Sequence, residues 1–361
     1  MTEMVSPRYF AASNSCLGFR NYYGDIFTDS RTDRLYIIKG GPGTGKSHFM
    51  KVVARRARAR GYRITEYACS SDPASLDGII LEREGSPTLG FLDGTAPHTR
   101  EPTLPGVKEE LLNLGAFWDG RRLEADGDRI RALAEGKSAA YGRAYAYLAA
   151  CGAVDRAAES RMADCVRRER IHALANRLLR EIPSEKEFSP LPCLRRALGM
   201  TGKVCLHTWE REATEAGGVV VILEDYYGLA YHLTRELFAR SRIANHSLHV
   251  SYDPLYPHKI DGLYYPSNGL CILVGHAEPP ENAVIRRISL RRCADPETLR
   301  LVRGELRRAA AFREELTEAA LRELTEAAEY HFGLEQIYTE AMDFTAKEAF
   351  TENFCHRLFD E

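Results

Sequence analysis

The sequence predicts an α/β protein made of two tandem parallel-sheet domains, each closed by a long helical tail. Three observations lead there. Strand-like apolar runs alternate with amphipathic segments, an order that implies a parallel sheet with both faces covered. The first half of the chain is echoed in the second. One strand-like run, RLYIIK, leads directly into GGPGTGKS, residues 40–47, with the spacing Gly-x-x-x-x-Gly-Lys-Ser.

In the first half a strand is expected over 35–39. A turn and a helix follow, with Phe49, Met50, Val52, Val53 and Ala57 at helical spacing. A second strand is expected over 63–69. Asp72-Pro73 then reads as a helix start, Asp as N-cap and Pro in the first turn. A third strand over 89–92 precedes a charged, Ala-rich helical tail over about 107–182. The second half repeats the order, with strands over 219–223, 247–251 and 271–274 and a tail over about 295–360. The tails are expected to form hairpins beside the sheets.

The halves align by several landmarks. Asp72-Pro73 falls on Asp253-Pro254 (253 − 72 = 181) and Gly94 on Gly275 (275 − 94 = 181). His48 falls on His232 and Asp77 on Asp261 (261 − 77 = 184), which implies a longer loop after Asp253. Arg177-Leu178 falls on Arg357-Leu358 (357 − 177 = 180). A period of half the chain reads as an ancient tandem duplication. The expected domains are 1–183 and 193–361, joined by a linker over 184–192.

A chain of 361 residues, 44% hydrophobic, can bury two cores. Its net charge of −2 gives no general attraction to nucleic acid or anionic membranes. Nine scattered cysteines without a Cys-x-x-Cys pair suggest free thiols in a reducing compartment. Residues 1–15 lack a signal-peptide pattern, and runs such as VVVIL at 219–223 are too short to span a bilayer. A soluble, cytoplasmic protein is expected.

Residues 40–47 have the chemistry of a phosphate cradle. Glycines let backbone N–H groups turn inward, a helix N-terminus adds its dipole, and Lys46 supplies a cation to the β- and γ-oxygens. The expected ATP-binding residues are Gly40, Gly41, Pro42, Gly43, Thr44, Gly45, Lys46, Ser47 and His48. Ser47 would offer its hydroxyl to Mg²⁺, and Asp93, ending the apolar strand LGFL, would hold the metal through water. Lys46 and Asp93 are the catalytic candidates.

Half two carries EDYYGLAY at 224–231 instead. Ala230 stands for Lys46, Tyr231 for Ser47 and Val274 for Asp93, while Tyr226 and Tyr227 crowd the turn. This half is expected to bind no nucleotide. It also serves as an internal control: groups kept in both halves read as structural, groups lost with the cradle as functional. On that logic Asp93 is functional and Asp72 structural. Asp77 is structural or a water-positioning base. Thr95 and His98 either sense a γ-phosphate or lie in a solvated loop. Arg286-Arg287 and Arg291-Arg292 either reach half one's γ-phosphate or decorate the surface. Gly136-Lys137-Ser138 repeats only the end of the motif, with no strand before it, and is discounted.

The segments IIKGGPGTGKS, CSSDPASLDGII and LDGTAPH, with their echoes SYDP, IDG and VGHAEPP, resemble a family of uncharacterised bacterial P-loop ATPases built from two tandem P-loop halves. The resemblance covers nearly the whole chain and implies a P-loop fold, ATP and Mg²⁺ binding, and hydrolysis to ADP and phosphate. Where members keep a second lysine loop, this chain does not. Gly94 follows Asp93, so no catalytic glutamate stands beside it and slow or partner-stimulated turnover is expected. The alternatives are a small-molecule kinase with 119–182 as lid, and a non-hydrolysing nucleotide-sensing scaffold. No Asn-Lys-x-Asp signature points to GTP, and no feature names a partner protein.

Overall fold

The computed structural model describes residues 6–360. Half one contains β1 (Arg8–Phe10), the hairpin β2 (Ala12–Ser15) and β3 (Gly18–Asn21), α1 (Tyr23–Ile26), β4 (Arg34–Lys39), α2 (Lys46–Arg58), β5 (Arg63–Ala68), β6 (Leu76–Glu82), β7 (Leu89–Asp93) and β8 (Glu109–Asn113). Its tail is α3 (Gly120–Ala125), α4 (Gly127–Ala163) and α5 (Arg168–Leu179). The six sheet strands lie in the order β1-β5-β6-β7-β4-β8. All pair in parallel except β6, which is antiparallel to both neighbours. The helix expected after Asp72-Pro73 is therefore a strand. Its apolar run, Leu76 and Ile79–Leu81, is buried in the sheet. Gly78 has to be glycine, because the Phe27 ring lies 2.8 Å from where its Cβ would sit.

Half two repeats this order, except that one continuous helix stands where half one has α3 and α4. It contains β9 (Pro190–Pro192), β10 (Arg196–Gly199), β11 (Gly202–Cys205), α6 (Thr208–Glu215), β12 (Val219–Glu224), α7 (Leu229–Ile243), β13 (Leu248–Tyr252), β14 (Ile260–Tyr265), β15 (Leu270–Val274) and β16 (Val284–Ser289). Two helices follow, α8 (Pro296–Glu340) and α9 (Phe344–Phe359). The sheet order β9-β13-β14-β15-β12-β16 copies the first, with β14 as the antiparallel strand. Part of the expected linker, 190–192, is thus the edge strand of the second sheet. The halves meet where Phe10 and Leu194 exchange backbone hydrogen bonds. Phe10, Ile37 and Leu92 share one core cluster there with Trp209, Val220 and Leu273.

The strand pairing revises two landmarks. Cys69 N–H donates to Ser75 O in half one and Asp253 N–H to Lys259 O in half two. Cys69, not Asp72, is therefore the counterpart of Asp253 (253 − 69 = 184). The two loops are equally long. The change in offset lies in the hairpin turn that follows, where Leu81 pairs Leu89 but Tyr265 pairs Leu270.

The tails decide the architecture. α4 and α8 pack along each other, with Ala144, Leu148, Ala320 and Leu324 buried between them. Gly136, of the discounted Gly-Lys-Ser, is where α4 meets the Tyr330 ring of α8. The terminal helices then exchange. α5 buries Ile171, Leu174, Ala175 and Leu179 against Val221, Leu233 and Leu237 of half two. α9 buries Phe354 and Cys355 against Tyr36, Phe49 and Phe91 of half one. The expected hairpins, each closing its own half, are replaced by this swap. Capping bonds fix the tail register. Asp119 N–H donates to Ala341 O and Asp295 N–H to Cys165 O; Asp343 N–H donates to Phe117 O and Arg167 N–H to Cys293 O. Each pair is related by 295 − 119 = 176. The offset of 180 read at Arg177-Leu178 is one helical turn away and keeps the same buried face.

Candidate anion site at the loop after β4

β4 and β7 are parallel neighbours, so their carboxyl ends bring Lys39 and Asp93 to one edge of the sheet, where open α/β sheets bind ligands. The chain leaves β4 through Gly40–Gly45 and enters α2 at Lys46. Gly43 (φ 71°) and Gly45 (φ 76°) take the left-handed conformation that lets the loop curl over the helix N-terminus. Lys46 Nζ donates to the carbonyls of Gly40 (2.9 Å) and Gly41 (2.8 Å) and lies 3.5 Å from Asp93 Oδ2. The Asp93 carboxylate also accepts from Thr95 N–H at 2.8 Å, and Thr95 Oγ1 donates to Gly40 O at 2.7 Å. Ser47 Oγ accepts from Leu76 N–H at 2.9 Å. Thr44 is buried, its hydroxyl donating to Gly41 O. His48 is exposed on the first turn of α2, and partial desolvation of its ring, then the charge of Lys347, lowers its pKa. The structure thus gathers Lys46, Asp93 and the glycine loop and leaves His48 on the outer side.

Residues of the two tails roof this loop. Trp118 and Tyr338 lie against Gly41, and Glu335 and Thr339 against Gly43. Lys347 of α9 has its Nζ 3.5 Å from where a Gly45 Cβ would sit. His331 of α8 is pushed down to about 4 by burial, then by the charges of Lys137 and Lys46.

Half two shows the same place without the chemistry. The buried positions Phe49, Met50, Val53 and Ala57 of α2 recur as Leu233, Thr234, Leu237 and Ser241 of α7, each 184 residues on. Ala230 therefore does stand at Lys46 and Tyr231 at Ser47. Tyr226 and Tyr227 pack on each other, with Tyr227 held at φ 57°. The residue the sequence reading missed is Asp225. Its carboxylate accepts from Gly228 N–H (2.9 Å) and Ala230 N–H (2.8 Å), filling the helix N-terminus with an internal anion. An aspartate three residues before a left-handed glycine was the available signal.

The remaining candidates sort as follows. Asp72 folds its own turn, accepting from Ala74 N–H and Ser75 Oγ. It has no counterpart aspartate in half two, so the internal control no longer marks it as structural. Asp77 does have one, Asp261, held by Arg196. His98 lies in an exposed loop, but its own ring is not solvated. The ring turns in from the loop and packs edge-on against Phe19 and Tyr23, with Nε2 3.5 Å from Asp77 Oδ2. Tyr23 OH donates to the same carboxylate at 3.0 Å, and burial raises the Asp77 pKa. Arg291 lies over Tyr226, beside half two's own loop, and β16, which carries Arg286 and Arg287, pairs with β12. Asp155, Glu159 and His258 cluster at half two, but Lys259 Nζ already bridges the two carboxylates at 2.6 and 3.0 Å, so a metal ion would have to displace it. Among the described residues no helix is long and apolar enough to cross a membrane. Compared with protein-family models, curated proteins and solved structures, the chain has no significant match.

Proposed function

We propose that half one binds ATP at Gly40–Ser47 and hydrolyses it slowly to ADP and phosphate, while half two is an inactive structural copy. The observation that supports this most is the contrast between the two loops. In half two an aspartate occupies the helix N-terminus. In half one no side-chain carboxylate among the described residues does, and the loop instead carries a lysine whose hydrogen bonds go to the loop's own carbonyls. Such a loop is poised to exchange those weak acceptors for phosphate oxygens. The Ser47 hydroxyl and the Asp93 carboxylate are hard oxygen donors of the kind Mg²⁺ takes together with water and phosphate, so the residues present fit the metal. Asp93 also holds the Lys46 ammonium at the loop before nucleotide arrives.

The test is a thermal shift with Mg-ATP, which rises through ligand linkage, together with phosphate release. Lys46→Ala should abolish both. An ATP-induced shift that persists in Lys46→Ala refutes the assignment. The packing of α8 on Gly43 favours a second reading, a nucleotide-sensing scaffold whose tails report occupancy. That reading predicts the shift without phosphate release. The kinase reading predicts transfer to a small molecule from a cell extract.

A further inference from the structure

The exchange of terminal helices brings a lysine from the far end of the chain to the loop of half one. Lys347 is 1% exposed, yet among the described residues its Nζ makes no hydrogen bond or ion pair: it lies over the Phe344 ring, 6.0 Å from the centroid, and Glu348 acts on it from beyond ion-pair distance. A buried ammonium with no carboxylate in direct contact is costly unless something anionic arrives. Its surroundings at Gly45 are the N-terminal end of α2, where an anion would sit.

The second half supplies the comparison. With the tail register of 176, Lys347 corresponds to Ile171 (347 − 171 = 176), each four residues past the N-cap of its helix. Ile171 is an ordinary core residue against half two. The same exchange runs through the helices that roof each loop. In half two Asp155 is buried and paired with Arg313 and Lys259. At the corresponding places in half one stand His331 for Asp155 and Lys137 for Arg313 (313 − 137 = 176). Lys137 makes no ion pair among the described residues, and burial lowers its pKa. One mouth has thus balanced its charges with internal carboxylates, Asp155 and Asp225. The other has neither carboxylate and holds Lys46 and Lys347, with Asp93 the one acid among the described residues in ion-pair contact with either.

We propose that Lys347, carried across by α9, is a binding residue for the polyphosphate chain of a nucleotide held at Gly40–Ser47. The inference rests on the nucleotide reading above and adds that the site is incomplete without the helix from the other half. Occupancy of the loop is thereby coupled to the docking of α9.

Calorimetric titration with Mg-ATP and with inorganic tripolyphosphate tests this on the full-length wild type, Lys46→Ala, Lys347→Met and Lys347→Arg. Lys347→Met should bind both ligands at least tenfold more weakly, while melting higher than wild type without ligand. Lys347→Arg should retain most of the affinity. That opposition of stability and affinity is not what a merely structural lysine gives. If Lys46→Ala abolishes ATP binding but Lys347→Met matches wild type, the role of Lys347 is refuted and the nucleotide reading stands. If tripolyphosphate binds in a Lys347-dependent way and ATP does not bind, the nucleotide reading falls and the anion role of Lys347 stands. Wild type binding neither ligand overturns both.

Discussion

Replacing Phe354 by Ala removes a ring that belongs to half two in sequence and to half one in space. Phe354 is 4% exposed, and its ring lies 5.1 Å from that of Tyr36, 5.3 Å from Phe49 and 6.1 Å from Phe91. All three neighbours are in half one, on β4, α2 and β7. Truncating a buried Phe costs about 3–5 kcal/mol, from lost transfer energy plus the cavity left behind. Against a typical total of about 5–15 kcal/mol this is a large fraction. Native-state hydrogen exchange locates the loss, because local opening reports on the unit that lost its contacts. Amides of β4, β7 and α2 should lose protection. Leu174→Ala in α5 is the reciprocal case and should loosen β12 and α7, against which it packs. Greater loss in β12 and α7 than in β4 and α2 for Phe354→Ala would refute the exchange of helices.

Four further outcomes are expected. Asp225→Ala should lower stability by about 1 kcal/mol in chemical denaturation, as for a lost helix cap, and should create no second nucleotide site by calorimetry. Asp93→Asn should keep Mg-ATP binding within a few fold and reduce phosphate release at least tenfold, since Asp93 contacts Lys46. Asp72→Asn should lower stability by about 1 kcal/mol, through its turn with Ala74 and Ser75. Burial, then the charges of Arg31 and Arg63, push His249 down to about 4. Its folded pKa lies below its unfolded value, so the unfolded chain takes up the proton first. Its contribution is complete above about pH 6.5 and is lost as pH falls toward 4, up to about 3 kcal/mol. Urea titrations at pH 7 and 4.5 should show that slope, and His249→Phe should flatten it.

Three of the six strands in each sheet (β4, β5 and β7; β12, β13 and β15), the helices α2 and α7, and the glycine loop with its loss in half two were legible in the chain. Each rests on local pattern: apolar periodicity, a run of glycines, a lysine present or absent. The edge strands β1, β8, β9 and β16 were not legible, and β8 falls inside the stretch over 107–182 expected to be helical tail. Local pattern also misled. The two Asp-Pro pairs look equivalent in sequence, but strand pairing sets Asp72 three residues away from its apparent twin. The apolar run at 76–82 was hidden by the helix-start signal before it. In the tails a slip of four residues keeps the same apolar face turned inward, so periodicity alone cannot separate an offset of 180 from 176. Where α5 and α9 dock is likewise absent from their sequences, because each has an apolar face that either half could cover. Only the long α4–α8 pair, crossing from one sheet to the other, decides it. The placements of Lys347 at Gly45 and of Ile171 against half two follow from that crossing. Hydrophobic period determines which residues turn inward. Contacts between segments far apart in the chain determine what they meet there.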